Sequence, residues 1–200
     1  EGFEDALYGA YSTLSASALY GEHLSWGLLD VFAQYYKKNS INDNVKSMLI
    51  LEHEKLRSYY NLIWNKGYET IGYVNNVLRN LERKSENSMH YYKLYKGEAL
   101  GLRAYLHFDL LRLFAPHVGS KPNAQGIPYV TIYEVAVSPF KTVSEVYDLV
   151  IKDLKEAELL LQEDETLLVY PRKFVLNDGF ATCREIHFNL YAAQALLARV

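Results

Sequence analysis

Apolar residues recur through the first part of the chain at the spacing of one helix face. Between residues 3 and 14 they occupy positions i, i+3, i+4 and i+7, which predicts an amphipathic helix. A second helix is predicted over residues 22–36, with Leu24, Leu28, Val31 and Phe32 on its buried side. From residue 56 the same period holds until about residue 81, and the polar stretch 84–87 ends this third helix.

The most apolar predicted helix covers residues 88–114, and its leucines are spread nearly all round it. A helix that is apolar on every side belongs in the interior of a protein. Small residues keep part of this helix thin, so we expect neighbouring helices to approach it closely. They are Gly97, Ala99, Gly101 and Ala104.

Prolines mark the second half of the chain, and residues 115–141 hold four of the five together with two glycines. This composition predicts a long, mostly irregular connection, and connections of that length are often functional. The β-like run 127–137 lies within it, but Pro128 and Pro139 flank that run, so it could be merely extended. A second irregular region is expected after Gln162.

Two further helices follow the Pro-rich connection. Thr142 and Glu145 fit a capping box, and apolar residues then recur at helical spacing as far as residue 161. On that helix Lys152 has the right spacing to pair with Asp148 and with Glu156 on a solvated face. A last helix is predicted from about residue 184 and reaches residue 200 without a stop signal, so we expect the natural chain to continue. The sequence therefore predicts an all-α fold of antiparallel helices with long irregular connections.

Charge and composition exclude several classes of partner. The net charge is −3, and no Lys/Arg block is present to neutralise phosphates, so we expect no nucleic-acid partner. No apolar run reaches the roughly 18–20 residues of a membrane-spanning helix. Cys183 is the only cysteine, which excludes an intrachain disulfide and a multi-cysteine metal site.

Catalytic and metal-binding motifs are hard to find in the sequence. His53-Glu54 opens like a zinc-protease motif, but Arg57 stands where the second histidine ligand would be. The six histidines show no paired ligand spacing and are expected on helix surfaces or interfaces. The acidic run 163–165 lacks spaced calcium ligands and is interpreted as a solvated helix end. Arg184 beside Cys183 is a weak signal for a reactive thiol. We therefore expect no catalysis, no metal and no cofactor.

Several segments, in one order along the chain, resemble the SusD/RagB family of outer-membrane nutrient-binding lipoproteins. Residues 3–14 are similar to its A-x-x-x-A-Y-x-x-L helix, and residues 64–75 to its W-x-x-x-Y-x-x-I-x-x-x-N pattern. Residues 97–110 resemble its most specific motif, G-E-A-x-x-L-R-A-x-x-x-F-x-L. Residues 189–200 resemble its A-A-x-A-L-L-A-R-V helix.

The resemblance implies tetratricopeptide-like helix pairs and a role in capturing glycans, or sometimes peptides, at the surface of a Bacteroidetes-type outer membrane. It also implies delivery of the ligand to a TonB-dependent transporter of the SusC kind. Residues 1–200 are then the N-terminal helical portion of a longer chain. The family is tethered by a lipidated cysteine, so membrane association is expected only through an anchor that precedes residue 1.

Ligand-binding residues are expected between the second helix and the W-x-x-x-Y helix, where this family varies. That segment combines aromatic rings, which can stack on a sugar, with side chains that bond to its hydroxyls. The candidates are Asp30, Tyr35, Tyr36, Asn39, Asn42 and Asn44, together with Asp43. Two packed tyrosines followed by an ordinary solvated loop would have the same composition.

The transporter could contact the Pro-rich connection or the exposed face of the first helices. Three other functions stay open on the sequence alone. The chain could belong to a peptide-binding relative or to a helical protein-interaction scaffold. A glycan hydrolase would need two carboxylates facing one cleft.

Overall fold

The protein is mostly helical in the computed structural model, which describes residues 2–35, 53–134, 136–169 and 178–200. The helices are α1 Gly2–Leu14, α2 Leu28–Phe32, α3 His53–Leu81, α4 Tyr92–Phe114, α5 Val143–Leu160, α6 Asp164–Leu167, α7 Gly179–Thr182 and α8 Leu190–Arg199. Two short strands, β1 Gln125–Pro128 and β2 Phe140–Thr142, lie between α4 and α5. The predicted all-α class with long irregular connections is confirmed.

The chain divides into two compact units. The larger unit comprises residues 1–7 and 71–200, and the smaller unit comprises residues 8–70. The boundaries lie inside α1 and α3, both of which were predicted from the helical period. Each unit is described by itself below.

The prediction of a second helix over residues 22–36, which lie in the smaller unit, is wrong. Residues 15–27 form a series of turns, and only Leu28–Phe32 is α-helical. Gly21 lies so close to the main chain of Ser15 and Ala16 that a Cβ atom at this position would overlap them. The turns depend on this close approach, which a hydrophobic period does not reveal. Leu28 and Val31 are nevertheless buried, as predicted.

Helix α4 is the centre of the larger unit and packs mainly against α5. Fifteen of its 23 residues are buried, which confirms the interior position predicted for it. It begins at Tyr92 rather than residue 88, because Glu86–Ser88 forms a separate 3₁₀ turn and Met89 is extended. Gly101 packs against the Phe188 ring, which would overlap a Cβ atom there. The thin face predicted for this helix therefore permits a close contact.

Among the described residues of the β-like run 127–137, only the first two lie in a β-strand, β1. Strand β1 pairs antiparallel with β2, with Gln125 opposite Thr142 and Pro128 opposite Phe140. Residues 129–134 continue as irregular chain after β1. The capping box is confirmed: the Thr142 side chain accepts from the Glu145 N–H at 3.2 Å, and Glu145 accepts from the Thr142 N–H at 2.7 Å.

The last helix begins at Leu190, not at residue 184. Arg184–Ile186 is a 3₁₀ turn, and Asn189 caps α8 by accepting the Ala192 N–H at 3.0 Å. The earlier residues are diverted because Arg184 points into the protein interior, where its side chain is fully buried.

Three ionisable side chains join that arginine, and together the four form the Arg184 cluster: Glu98, Asp164, Arg184 and His187. Arg184 bonds to both Asp164 oxygens, at 2.7 and 3.2 Å, and donates from Nη1 to Glu98. His187 Nδ1 donates to the other Glu98 oxygen at 2.7 Å. Burial alone would lower the pKa of Arg184, but the hydrogen bonds and negative charges of its two partners outweigh burial and raise it.

The Arg184 cluster corrects one sequence interpretation. Asp164 is fully buried, so the run 163–165 is not simply a solvated helix end, although Glu163 and Glu165 are exposed. His187 is 6% exposed and bonds to Glu98 of α4, so it lies at an interface between elements and not on a helix surface.

Candidate ligand-binding surfaces

The end of α2 fixes the main chain where the predicted ligand segment begins. The Tyr35 N–H donates to the Asp30 carbonyl at 3.1 Å, and the Gln34 N–H donates to the Val31 carbonyl at 3.0 Å. This pair of bonds is a Schellman motif, which requires a left-handed residue after the helix. Gln34 supplies it with φ 60°, a conformation that costs free energy for a residue other than glycine. The structure thus brings Asp30 and Tyr35 together across one turn.

Tyr35 lies at the end of this turn and is 78% exposed. Trp26, in the turns before α2, is 59% exposed, and Asp30 is half-buried. Tyr35 and Asp30, joined across one turn, are called the Tyr35 surface below, and Trp26 is a second exposed aromatic residue of the same unit. Trp26 was not among the residues predicted from the sequence, although an exposed indole could stack on a sugar as a phenol can.

Five of the predicted ligand residues lie outside the described part of the chain. They are Tyr36, Asn39, Asn42, Asp43 and Asn44. Their role stays a prediction.

Most other aromatic residues described in the smaller unit pack against each other. The Trp64 and Tyr68 rings lie 4.8 Å apart, and the His23 and Tyr59 rings meet edge-on at 5.1 Å. Burial raises the pKa of Tyr68. Tyr68 is therefore a packing residue, and the exposed Tyr35 contrasts with it.

In the larger unit, side chains from three helices hold the main chain just after β1. The Val130 N–H donates to His107 Nε2 at 3.0 Å, and the Val130 carbonyl accepts from Asn75 Nδ2 at 2.9 Å. Arg103 donates to the Asn75 amide oxygen at 3.2 Å and to both Asp153 oxygens at 2.7 and 2.9 Å. We call this set the Val130 clamp: Asn75, Arg103, His107, Tyr129 and Asp153.

The clamp is a buried polar network with fixed proton positions. His107 accepts from Val130, so it must be neutral, and its Nδ1–H donates to the Arg103 carbonyl at 2.8 Å. Burial, and secondarily the nearby Arg103 charge, lower the pKa of His107 to about 3. The Tyr129 ring stacks on His107 at 4.0 Å, and its hydroxyl donates to Asp153 at 2.6 Å. Burial, followed by the Asp153 charge, raises the pKa of Tyr129.

Beside the clamp lies a groove of about 550 Å³, which we call the Tyr133 groove. Helices α3, α4 and α5 and residues 131–134 line it. Arg79 donates to the Tyr133 carbonyl at 3.2 Å, and its guanidinium lies 4.7 Å from the centre of the Tyr133 ring. Across the groove, Lys96 pairs with Glu156 at 2.7 Å. Lys152, predicted to pair with Glu156 or Asp148, makes no ion pair within the described residues.

The sequence did not reveal the groove, because its wall is irregular chain and its charges come from three helices. One signal was available: Arg103 is a charged residue inside the most apolar helix. Such a charge needs buried partners on neighbouring elements.

The sequence matches one known family over most of its length. Residues 11–176 match the SusD-like family described as starch-binding and associating with the outer membrane. The chain belongs to the SusD-like family. The family resemblance seen in the sequence motifs is thereby confirmed, and no curated protein sequence matches the chain.

Solved SusD-like structures share the fold of this chain. A putative sugar-binding protein from Bacteroides vulgatus is 25% identical with a TM-score of 0.70, covering 98% of this chain and 41% of that one. A SusD-like carbohydrate-binding protein from the same species is 22% identical with a TM-score of 0.71, covering 99% and 40%. A SusD superfamily protein from Bacteroides thetaiotaomicron is 23% identical with a TM-score of 0.67, covering 99% and 41%. The chain therefore spans about two fifths of their length.

Two further properties concern membranes and metals. In the described ranges, no helix combines the length and apolar character that crossing a membrane requires. Within those same residues, no three His, Cys, Asp or Glu side chains are grouped as a metal ion would need.

Proposed function

We propose that this SusD-like protein binds nutrient oligosaccharides at the outer-membrane surface without transforming them. The observation that carries the proposal is family membership over residues 11–176, which include an exposed aromatic surface. The SusD-like family is a family of binding proteins, and two of the solved relatives are described as sugar- or carbohydrate-binding.

The Tyr35 surface has the chemistry that a sugar needs. A pyranose presents C–H groups on one face, which pack on an aromatic ring, and hydroxyls at its edge, which need donors and acceptors. Tyr35 offers an exposed ring and Asp30 an acceptor nearby, and Trp26 offers a second exposed ring in the same unit. The Schellman motif holds the start of this surface before a ligand arrives, which lowers the ordering cost of binding.

Delivery of the captured ligand to a TonB-dependent transporter of the SusC kind, and attachment through a lipid anchor upstream of residue 1, belong to the same proposal. The Pro-rich connection supports a protein contact, because several of its apolar side chains are exposed. They include Ile132, Val137 and Phe140.

Isothermal titration of the full-length mature protein against a panel of neutral oligosaccharides tests the proposal. We expect saturable binding of one glycan class without turnover, and a roughly tenfold loss of affinity in Tyr35→Ala. Tyr191→Ala, which removes an exposed tyrosine from α8, is the matched control and should bind as the parent does.

Each other outcome contradicts a definite part of the proposal. Binding that is equal in Tyr35→Ala and the parent would move the site away from the Tyr35 surface. Binding of peptides alone would identify a peptide-capturing relative, and hydrolysis of the glycan would overturn the non-catalytic role.

A further inference from the structure

We propose that the Tyr133 groove is a second carbohydrate site, which takes one neutral sugar unit of the same class of ligand. This inference rests on the proposed function, because it assumes that the protein captures glycans. The groove lies within the larger unit, whereas the Tyr35 surface belongs to the smaller one. Its volume of about 550 Å³ is within the range of roughly 300–1,000 Å³ that small-molecule pockets have.

The charges that line the groove favour a neutral ligand with many hydroxyls. Arg79 and Lys152 are cationic, Glu82 and Glu134 are anionic, and none of the four makes an ion pair among the described residues. An anion or a cation would gain from one pair and be repelled by the other. A sugar hydroxyl both donates and accepts, so it can use both kinds of partner. Hydrogen bonds to charged groups are also the stronger kind.

The apolar contribution comes from the irregular wall. Tyr133 is 39% exposed and Ile132 is 49% exposed, while the leucines that line the groove are buried. Arg79 holds Tyr133 through both its ring and its carbonyl. An aromatic ring fixed beside charged groups that make no ion pair among the described residues is the combination that a pyranose face and its hydroxyls require.

The wall is also held in place before any ligand binds. The Val130 clamp satisfies both the N–H and the carbonyl of the residue that precedes Thr131. Buried, fully bonded networks of this kind make a segment rigid. Binding in the groove therefore loses little chain entropy, so even a small sugar contact can contribute to affinity.

The test uses the full-length mature protein and the oligosaccharide class found by the titration above. We expect two sites per molecule, the second weaker. In a Tyr35→Ala background, Tyr133→Ala and Lys152→Ala should each weaken the remaining binding by about fivefold or more. Lys155→Ala is the control, because Lys155 is exposed on the same helix but does not line the groove. Far- and near-ultraviolet circular dichroism of each variant checks that the fold is retained.

The outcomes separate this inference from the proposed function. If glycan binds at one site and the Tyr133 and Lys152 variants match Lys155→Ala, the groove proposal is overturned while glycan capture stands. If no glycan binds to the parent, both proposals fail. If the groove variants weaken binding of short peptides but not of glycans, the groove is a peptide site and the proposal is overturned.

Discussion

Two buried ionic networks meet on helix α4, and they differ in what they hold. Glu98 belongs to the Arg184 cluster, and Arg103 belongs to the Val130 clamp, five residues further along. The Arg184 cluster joins side chains almost entirely to other side chains. The Val130 clamp combines one ion pair with neutral groups and ends on the main chain of an irregular segment.

The two networks show different reasons for keeping charges inside such an apolar helix. Burying an ion pair gives little net stability, since removing charges from water offsets much of their attraction. The Arg184 cluster connects α4 with α6 and the turn before α8, so breaking it leaves bare buried charges. The Val130 clamp instead positions a surface wall. We therefore expect damage to the first network to affect mainly stability, and damage to the second to affect mainly ligand binding.

Arg184→Met should have the largest effect on stability. It leaves Glu98 and Asp164 fully buried without their cation, and breaking a buried ion pair in this way costs about 3–5 kcal/mol. Urea unfolding of the full-length protein, followed by circular dichroism, measures the loss. A loss below about 1 kcal/mol would mean that the cluster relaxes or admits water. It would contradict the expectation that damage to the Arg184 cluster acts mainly on stability.

Acid should act on the Val130 clamp. The pKa of His107 is lowered to about 3 from an ordinary 6.5. Between these two pH values His107 is protonated in the unfolded chain and neutral in the folded protein. The free energy of unfolding therefore falls as pH drops below 6.5, by about 3 kcal/mol at pH 4.5. The measurement is the difference in unfolding free energy between the parent and His107→Gln across this range. A difference that stays constant with pH would contradict a buried neutral histidine.

Tyr129→Phe should cost less, and its effect should be visible in two readouts. It removes the hydroxyl that donates to Asp153 at 2.6 Å, which costs about 2 kcal/mol for a bond to a charged acceptor. It should also weaken glycan binding in the Tyr133 groove, because the wall is held less firmly. Lost stability with unchanged groove affinity would show that the clamp is structural only.

Lys93→Ala should have no measurable effect. Lys93 pairs with Glu86 at 2.8 Å, but both side chains are 55% exposed, and solvent screens such pairs. The same urea titration serves as the baseline for Arg184→Met. A clear loss of stability here would mean that exposed and buried pairs in this protein differ less than their surroundings indicate.

Elements with a strong period could be predicted from the sequence, whereas turns set by a close approach or a buried charge could not. α1, α3 and α5 lie close to their predicted bounds because long amphipathic stretches leave little choice of face. The prediction of a helix over residues 22–36 was wrong because the close approach of Gly21 to the main chain of Ser15 and Ala16 is not visible in a hydrophobic period. The predicted start of α8 at residue 184 was wrong because Arg184 turns inward to bond with Glu98 and Asp164. These partners are 86 and 20 residues away in sequence.

The candidate sites were predicted only in part. Tyr35 is exposed, as a ligand residue must be, and composition alone could indicate its chemistry. Trp26 was missed because ligand residues were expected between the second helix and the W-x-x-x-Y helix, and Trp26 precedes that segment. The Tyr133 groove was missed because Arg79, Glu82 and Lys152 come together only after α3 and α5 have packed on α4.

The Val130 clamp forms hydrogen bonds with the main-chain N–H and carbonyl of Val130 and not with its side chain. Its two hydrogen bonds can therefore form with any residue except proline at position 130, and the residues that follow are free to change. Replacement of Thr131, Ile132 or Tyr133 would alter the lining of the groove while the chain keeps its course. Mutations in this wall can therefore change ligand preference while the helices and the main-chain path stay the same.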